Sequence, residues 1–111
     1  MRTELGKIQK VSFGHGGYQE ACIGINFTLG GEGWGVGSSE TAWDAEMIEC
    51  TNNCKWTEED RSKQYDEIVR YISRLLKEAK VSNINDLEGV PIEATFDGQL
   101  LKSWRILTEV I

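Results

Sequence analysis

The sequence predicts an α+β domain: an antiparallel sheet of about five strands packed against one long helix, in the order β-β-β-α-β-β, as a single domain over residues 1–111. Three observations carry this. Ile23, Ile25, Phe27 and Leu29 alternate with Cys22, Gly24, Asn26 and Thr28, the period of two of a sheet buried on one face. Tyr65, Ile68, Ile72, Leu75, Leu76 and Ala79 recur at helical spacing, opposite a face of Lys63, Glu67, Arg70, Arg74, Lys77 and Glu78. Finally, Val90, Ile92, Ala94 and Phe96 alternate ahead of Asp97-Gly98, a two-residue hairpin signal. Strands on either side of a single amphipathic helix favour a sheet with the helix on one face.

Element by element, residues 7–13 read as a first strand with Val11 and Phe13 inward, and residues 14–19 as an irregular connection. The second strand is 22–29, and residues 30–33 suit a turn. A third strand is expected over 34–37, where alternating glycines leave one sheet face almost bare. Residues 38–53 carry the weakest pattern, with a short strand near Met47-Ile48. Thr57 offers an N-cap hydroxyl ahead of Glu58, Glu59 and Asp60, so the helix is placed over 58–80. A short helical turn over 83–87 ends at Gly89. The return strand of the C-terminal hairpin, 99–110, puts Trp104, Ile106 and Val110 on one side.

Charge narrows the function classes. The formal charge is −6, and the stretch from Val11 to Cys54 holds six acidic residues and no lysine or arginine. A general nucleic-acid binder needs a basic footprint to displace counterions, so no nucleic-acid partner is expected. No apolar run approaches the roughly 18 residues of a membrane span, and the residues after Met1 lack the apolar core of a secretory signal. A cytoplasmic location is expected, with no membrane partner and with Cys22, Cys50 and Cys54 reduced.

Nine of the twelve glycines fall between Gly14 and Gly37, which makes that region the first place to look for function. A phosphate-cradling loop would continue into Lys and Ser or Thr, and a dinucleotide loop would open a helix; neither follows here. The region still offers backbone amides and side chains for contact, against the plainer reading of tight turns and a bulged sheet corner. The expected ligand- or partner-binding set is His15, Gly16, Gly17, Tyr18, Gln19, Trp34, Gly35, Gly37 and Trp43. No catalytic residue, metal ligand or cofactor is assigned. Cys50 and Cys54 lack the second ligand pair of a closed zinc site, and the acidic residues match no EF-hand spacing.

Several strings resemble a group of short accessory proteins of tailed phages and prophages. They are Gly16-Gly17-Tyr18-Gln19-Glu20-Ala21, Ile23-Gly24-Ile25 and Gly33-Trp34-Gly35-Val36-Gly37, then Lys55-Trp56-Thr57-Glu58-Glu59-Asp60-Arg61 and the closing Leu101-Lys102-Ser103-Trp104-Arg105-Ile106-Leu107-Thr108-Glu109-Val110. The resemblance implies a phage accessory product acting in the host bacterial cytoplasm and transfers no catalytic residue. The expected function is a non-enzymatic modulator or inhibitor of a host protein, defence-system proteins included. The alternative is a small-ligand binder, such as a nucleotide-signal sponge. It would use the glycine loops with Tyr18, Trp34 and Trp43 for stacking, and meet phosphate charge with backbone amides, a metal ion, or cations from Lys102, Arg105 or a second subunit. A small enzyme built on His15 with Cys22 or an acid is a third reading. A homodimer through an edge strand such as 99–110 is compatible with each.

Overall fold

The computed structural model describes residues 1–17, 20–44 and 57–111. Five strands form one antiparallel sheet: β1 (Arg2–Gly16), β2 (Cys22–Gly31), β3 (Trp34–Trp43), β4 (Pro91–Asp97) and β5 (Leu100–Ile106). The helix α1 (Glu58–Ala79) lies between β3 and β4 in sequence. The spatial order β3-β2-β1-β4-β5 returns the fourth strand to the side of the first, which is a Greek key.

β1 organises the sheet. Its first half pairs with β4, from Arg2 opposite Phe96 to Lys7 opposite Pro91. Its second half pairs with β2, from Lys7 opposite Gly30 to Gly16 opposite Cys22. The β1–β2 register shifts between Ile8 and Lys10, a bulge that bends the strand where it changes partners. The sheet then curls so far that its edges meet. Trp104 of β5 donates from Nε1 to Ser38 Oγ of β3 at 3.1 Å, and its ring meets Phe27 of β2 edge-on at 5.1 Å. The result is a half-open barrel filled by Ile8, Ile25, Leu29, Ile92 and Ile106, with Leu75, Ala79 and Leu87 packed against them.

α1 starts where the sequence predicts, on a full capping box. Thr57 Oγ1 accepts from the Asp60 amide at 3.2 Å, and Asp60 Oδ2 accepts from the Thr57 amide at 2.9 Å. A cap of this kind contributes about 1 kcal/mol. The helix ends at Ala79, with Lys80 as a left-handed cap. The short turn before Gly89 is a 3-10 turn, Ile84–Leu87, whose Leu87 is fully buried.

Several boundaries move. β1 runs well past the expected 7–13, because Gly14 and Gly16 keep β1 paired with β2. β2 continues through Gly31, and the turn is Glu32-Gly33 with Gly33 at φ 80°. β3 extends to Trp43, while Met47-Ile48 lies outside the described residues. Asp97 pairs with Leu100, so the hairpin turn is Gly98-Gln99, one residue later than predicted, with Gly98 at φ 62°. Val110 is a correction of another kind. The Leu107 amide donates to Pro91 O, β5 has ended at Ile106, and a 3-10 turn over Thr108–Val110 leaves Val110 67% exposed instead of inward.

Candidate functional site

The residues expected to bind fall into separate places. Trp34 and Trp43 open and close β3, roughly 30 Å apart along an extended strand. Trp34 packs into the barrel: its ring meets Phe96 edge-on at 5.5 Å, and a Cβ on Gly6 would lie 2.6 Å from its Cζ2. Arg2 covers this end, its guanidinium 4.7 Å from the Phe96 ring centre and its Nη1 donating to Gly98 O at 2.9 Å. Gly35 and Gly37 lie on the outer face of β3, where a Cβ would meet nothing closer than a carbonyl at 3.8 Å. Gly16 is on the same outer face, Gly17 (φ 78°) turns the chain beside the half-buried Cys22 thiol, and Tyr18 and Gln19 lie outside the described residues.

His15 and Trp43 do come near one another, through Asp44. The ionised carboxylate can only accept, so His15 Nε2 donates to Asp44 Oδ2 at 3.0 Å. Asp44 is 8% exposed, its amide donates to Ala21 O at 2.8 Å, and its Oδ1 is 3.7 Å from Arg61 Nη1. Arg61 also pairs with Glu58, and the Trp43 amide donates to Gln64 Oε1 at 3.3 Å. One buried carboxylate thus ties the end of β1, the end of β3 and the first turns of α1. His15 commits its Nε2 to that tie, a pairing with an acid rather than with Cys22, to which it shows no hydrogen bond among the described residues. Of the six acidic residues between Val11 and Cys54, the described ones, Glu20, Glu32, Glu40 and Asp44, are dispersed from one end of the hairpin to the other. No group of three or more metal-ligating side chains forms among the described residues.

Beside the Asp44 tie is a surface the sequence did not flag. An apolar cleft of about 230 Å³ opens between α1 and the β1–β2 ladder, lined by Phe13, Ile23, Tyr65, Ile68 and Val69. Phe13 is 51% exposed and Val69 65%, while Ile68 is buried at the floor. The Arg61 guanidinium stands 6.0 Å over the Tyr65 ring at the rim. An exposed apolar pair over a preformed hollow, edged by charge, suits an anchoring side chain from another protein. The available signal was Val69, an apolar residue just off the helical stripe, with Phe13 at the distal part of its strand.

The half-open Greek-key barrel is also the layout of oligonucleotide- and oligosaccharide-binding barrels, but fold alone carries no function. The outer face of β2 and β3 presents Asn26, Thr28, Gly35, Gly37, Ser39, Thr41 and Trp43, with Lys7 and Lys10 of β1 opposite Gly30 and Thr28. No family model matches the chain, and no curated protein or solved structure is similar to it. No described helix is long and apolar enough to cross a membrane.

Proposed function

We propose that this protein works by binding another protein, as a phage accessory factor that modulates or inhibits a host protein. The observation that carries the reading is the Phe13–Val69 cleft: a preformed apolar hollow whose two most prominent walls are left to solvent. Burying a side chain of that size contributes roughly 1.5–3 kcal/mol, enough to make one residue an interface anchor. The acidic balance, −6 overall with no lysine or arginine from Val11 to Cys54, favours a partner with a basic surface, speeding encounter and deterring acidic competitors. The phage setting, host cytoplasm included, rests on the sequence resemblance. The host factors proposed include defence-system proteins.

The small-ligand alternative cannot use Trp34 and Trp43 in one site, since they are at opposite ends of β3, and Arg105 is already paired with Glu93 and Glu109. Native mass spectrometry of untagged protein purified from phage-infected cells tests the reading. A stoichiometric protein passenger that dissociates on denaturation is expected. The bare chain, its homodimer, or a small-molecule passenger alone would contradict it.

A further inference from the structure

On the other side of α1 from the cleft, the two edge strands of the sheet approach without pairing. Between β3, β5 and the helix lies a polar slot of about 310 Å³, bordered by Ser38, Glu40, Tyr71, Leu101, Ser103 and Trp104. The Trp104–Ser38 hydrogen bond bridges its mouth. Lys102 also borders the slot, but its ammonium sits 3.6 Å from Met1 Sδ.

Glu40 is the unusual group here. It follows Trp34, Val36 and Ser38 on the same side of β3, the side that turns toward the barrel and helix, yet it is exposed. It takes part in no ion pair or hydrogen bond among the described residues. Its field is felt in the slot: burial first, then the Glu40 charge, pushes the Tyr71 phenol up to about 12. The cation nearest Tyr71 is Arg74, 5.3 Å from the ring centre, and Glu78 holds it at 3.3 Å. The slot therefore offers a free carboxylate beside aromatic walls, with hydroxyls at Ser38 and Ser103 and Lys102 on its border.

We propose that this slot receives the guanidinium of an arginine side chain presented by the protein partner, paired with Glu40 and stacked along Trp104. Arginine fits better than lysine because its planar fork matches a carboxylate and lies flat on a ring, and it gives up its hydration more readily. The charge of the chain points the same way: an acidic protein with no lysine or arginine between Val11 and Asp44 calls for a basic partner. This inference rests on the protein-binding reading and adds a second contact, distinct from the cleft.

The test uses the full chain and N-acetyl-L-arginine amide as probe, followed by NMR at the Trp104 indole N–H and the Ser38 and Ser103 amides. A saturable shift confined to these signals is expected, with affinity at least tenfold weaker in Glu40→Gln. Saturating probe should also lower the Tyr71 phenol from about 12, because it neutralises the Glu40 field. A purely structural Glu40 would give no probe-dependent movement of that titration. The proposal is overturned by absent saturation, by equal binding to Glu40→Gln, or by equal binding of the neutral citrulline analogue. It is equally overturned if spermidine or N-acetyl-L-lysine amide binds as tightly. If the probe fails while a protein passenger is still retained, the slot assignment falls and the protein-binding reading stands. Probe binding with no protein passenger would leave a guanidinium-binding slot but overturn the protein-binding reading, and with it the partner arginine proposed here.

Discussion

The two ends of the β2–β3 hairpin treat their large apolar residues in opposite ways. At the turn end, Trp34 is edge-on to Phe96, Gly6 and Gly31 give up their side chains to admit the indole, and Arg2 lies over the Phe96 ring. At the far end, Phe13 and Val69 stand more than half exposed above a hollow floored by Ile68, although a buried carboxylate holds the surrounding strands and helix firmly. Exposed apolar side chains alone do not set the two ends apart, since Leu5 and Leu100 near the turn end are exposed as well; what sets the Phe13 end apart among the described residues is an exposed aromatic standing over a preformed hollow.

The largest effect is expected from breaking the closed end. Gly6→Ala would drive a Cβ to 2.6 Å from Trp34 Cζ2 and against the Gly30 carbonyl, so the indole must leave or the ladder must part. A loss of about 3 kcal/mol is expected from overpacking, read as a lower urea midpoint with unchanged slope. Next is the tie at the open end. Asp44→Ala removes the acceptor shared by His15 and Arg61, and a loss of about 2 kcal/mol is expected, short of a fully buried pair because His15 is well exposed. A loss under about 0.5 kcal/mol, the range of ordinary surface changes, would mean that the open end is not rigidly held.

A smaller effect comes from Tyr71, beside the slot between β3 and β5. Its phenol is raised from an ordinary value of 10.0 to about 12, so the neutral form is favoured by folding. That contribution is complete below pH 10 and is lost as pH rises toward 12. After allowance for its part exposure it amounts to about 1 kcal/mol. Ultraviolet titration should find one tyrosine near 12, absent in Tyr71→Phe, and Glu40→Gln should lower it. The smallest stability change belongs to the cleft: Phe13→Ser with Val69→Ser should alter folding by under about 1 kcal/mol, since both side chains are already largely in water.

What the sequence made legible was local. The capping box at Thr57 and Asp60, the alternation in β2 and the glycine turn near residue 98 are each written within a few neighbours. What it hid was long-range closure. The Trp104–Ser38 bond spans 66 positions and the His15–Asp44 bond 29, and no spacing rule announces either. Alternation placed Phe13 on the core side of β1, correctly, but a period of two says which side a residue takes and not whether anything covers it. Gly6 shows the same limit among glycines: nothing nearby in sequence says that Trp34 needs its space. The clustered glycines suggest His15, Trp34 and Trp43 as one site, whereas an extended ten-residue β3 holds its two tryptophans far apart.

If the uncovered apolar end exists to hold a protein partner, removing its two exposed walls must cost affinity and spare the fold. The most direct measurement is the affinity of the Phe13→Ser, Val69→Ser double variant for the passenger identified by native mass spectrometry, taken by calorimetry alongside its thermal melt. A melting midpoint unchanged within a few degrees is expected, with an affinity at least a hundredfold weaker, roughly 2.7 kcal/mol. A double variant that melts with the parent and binds as tightly would contradict the proposed role of the cleft, and would move the partner surface away from this end of the barrel.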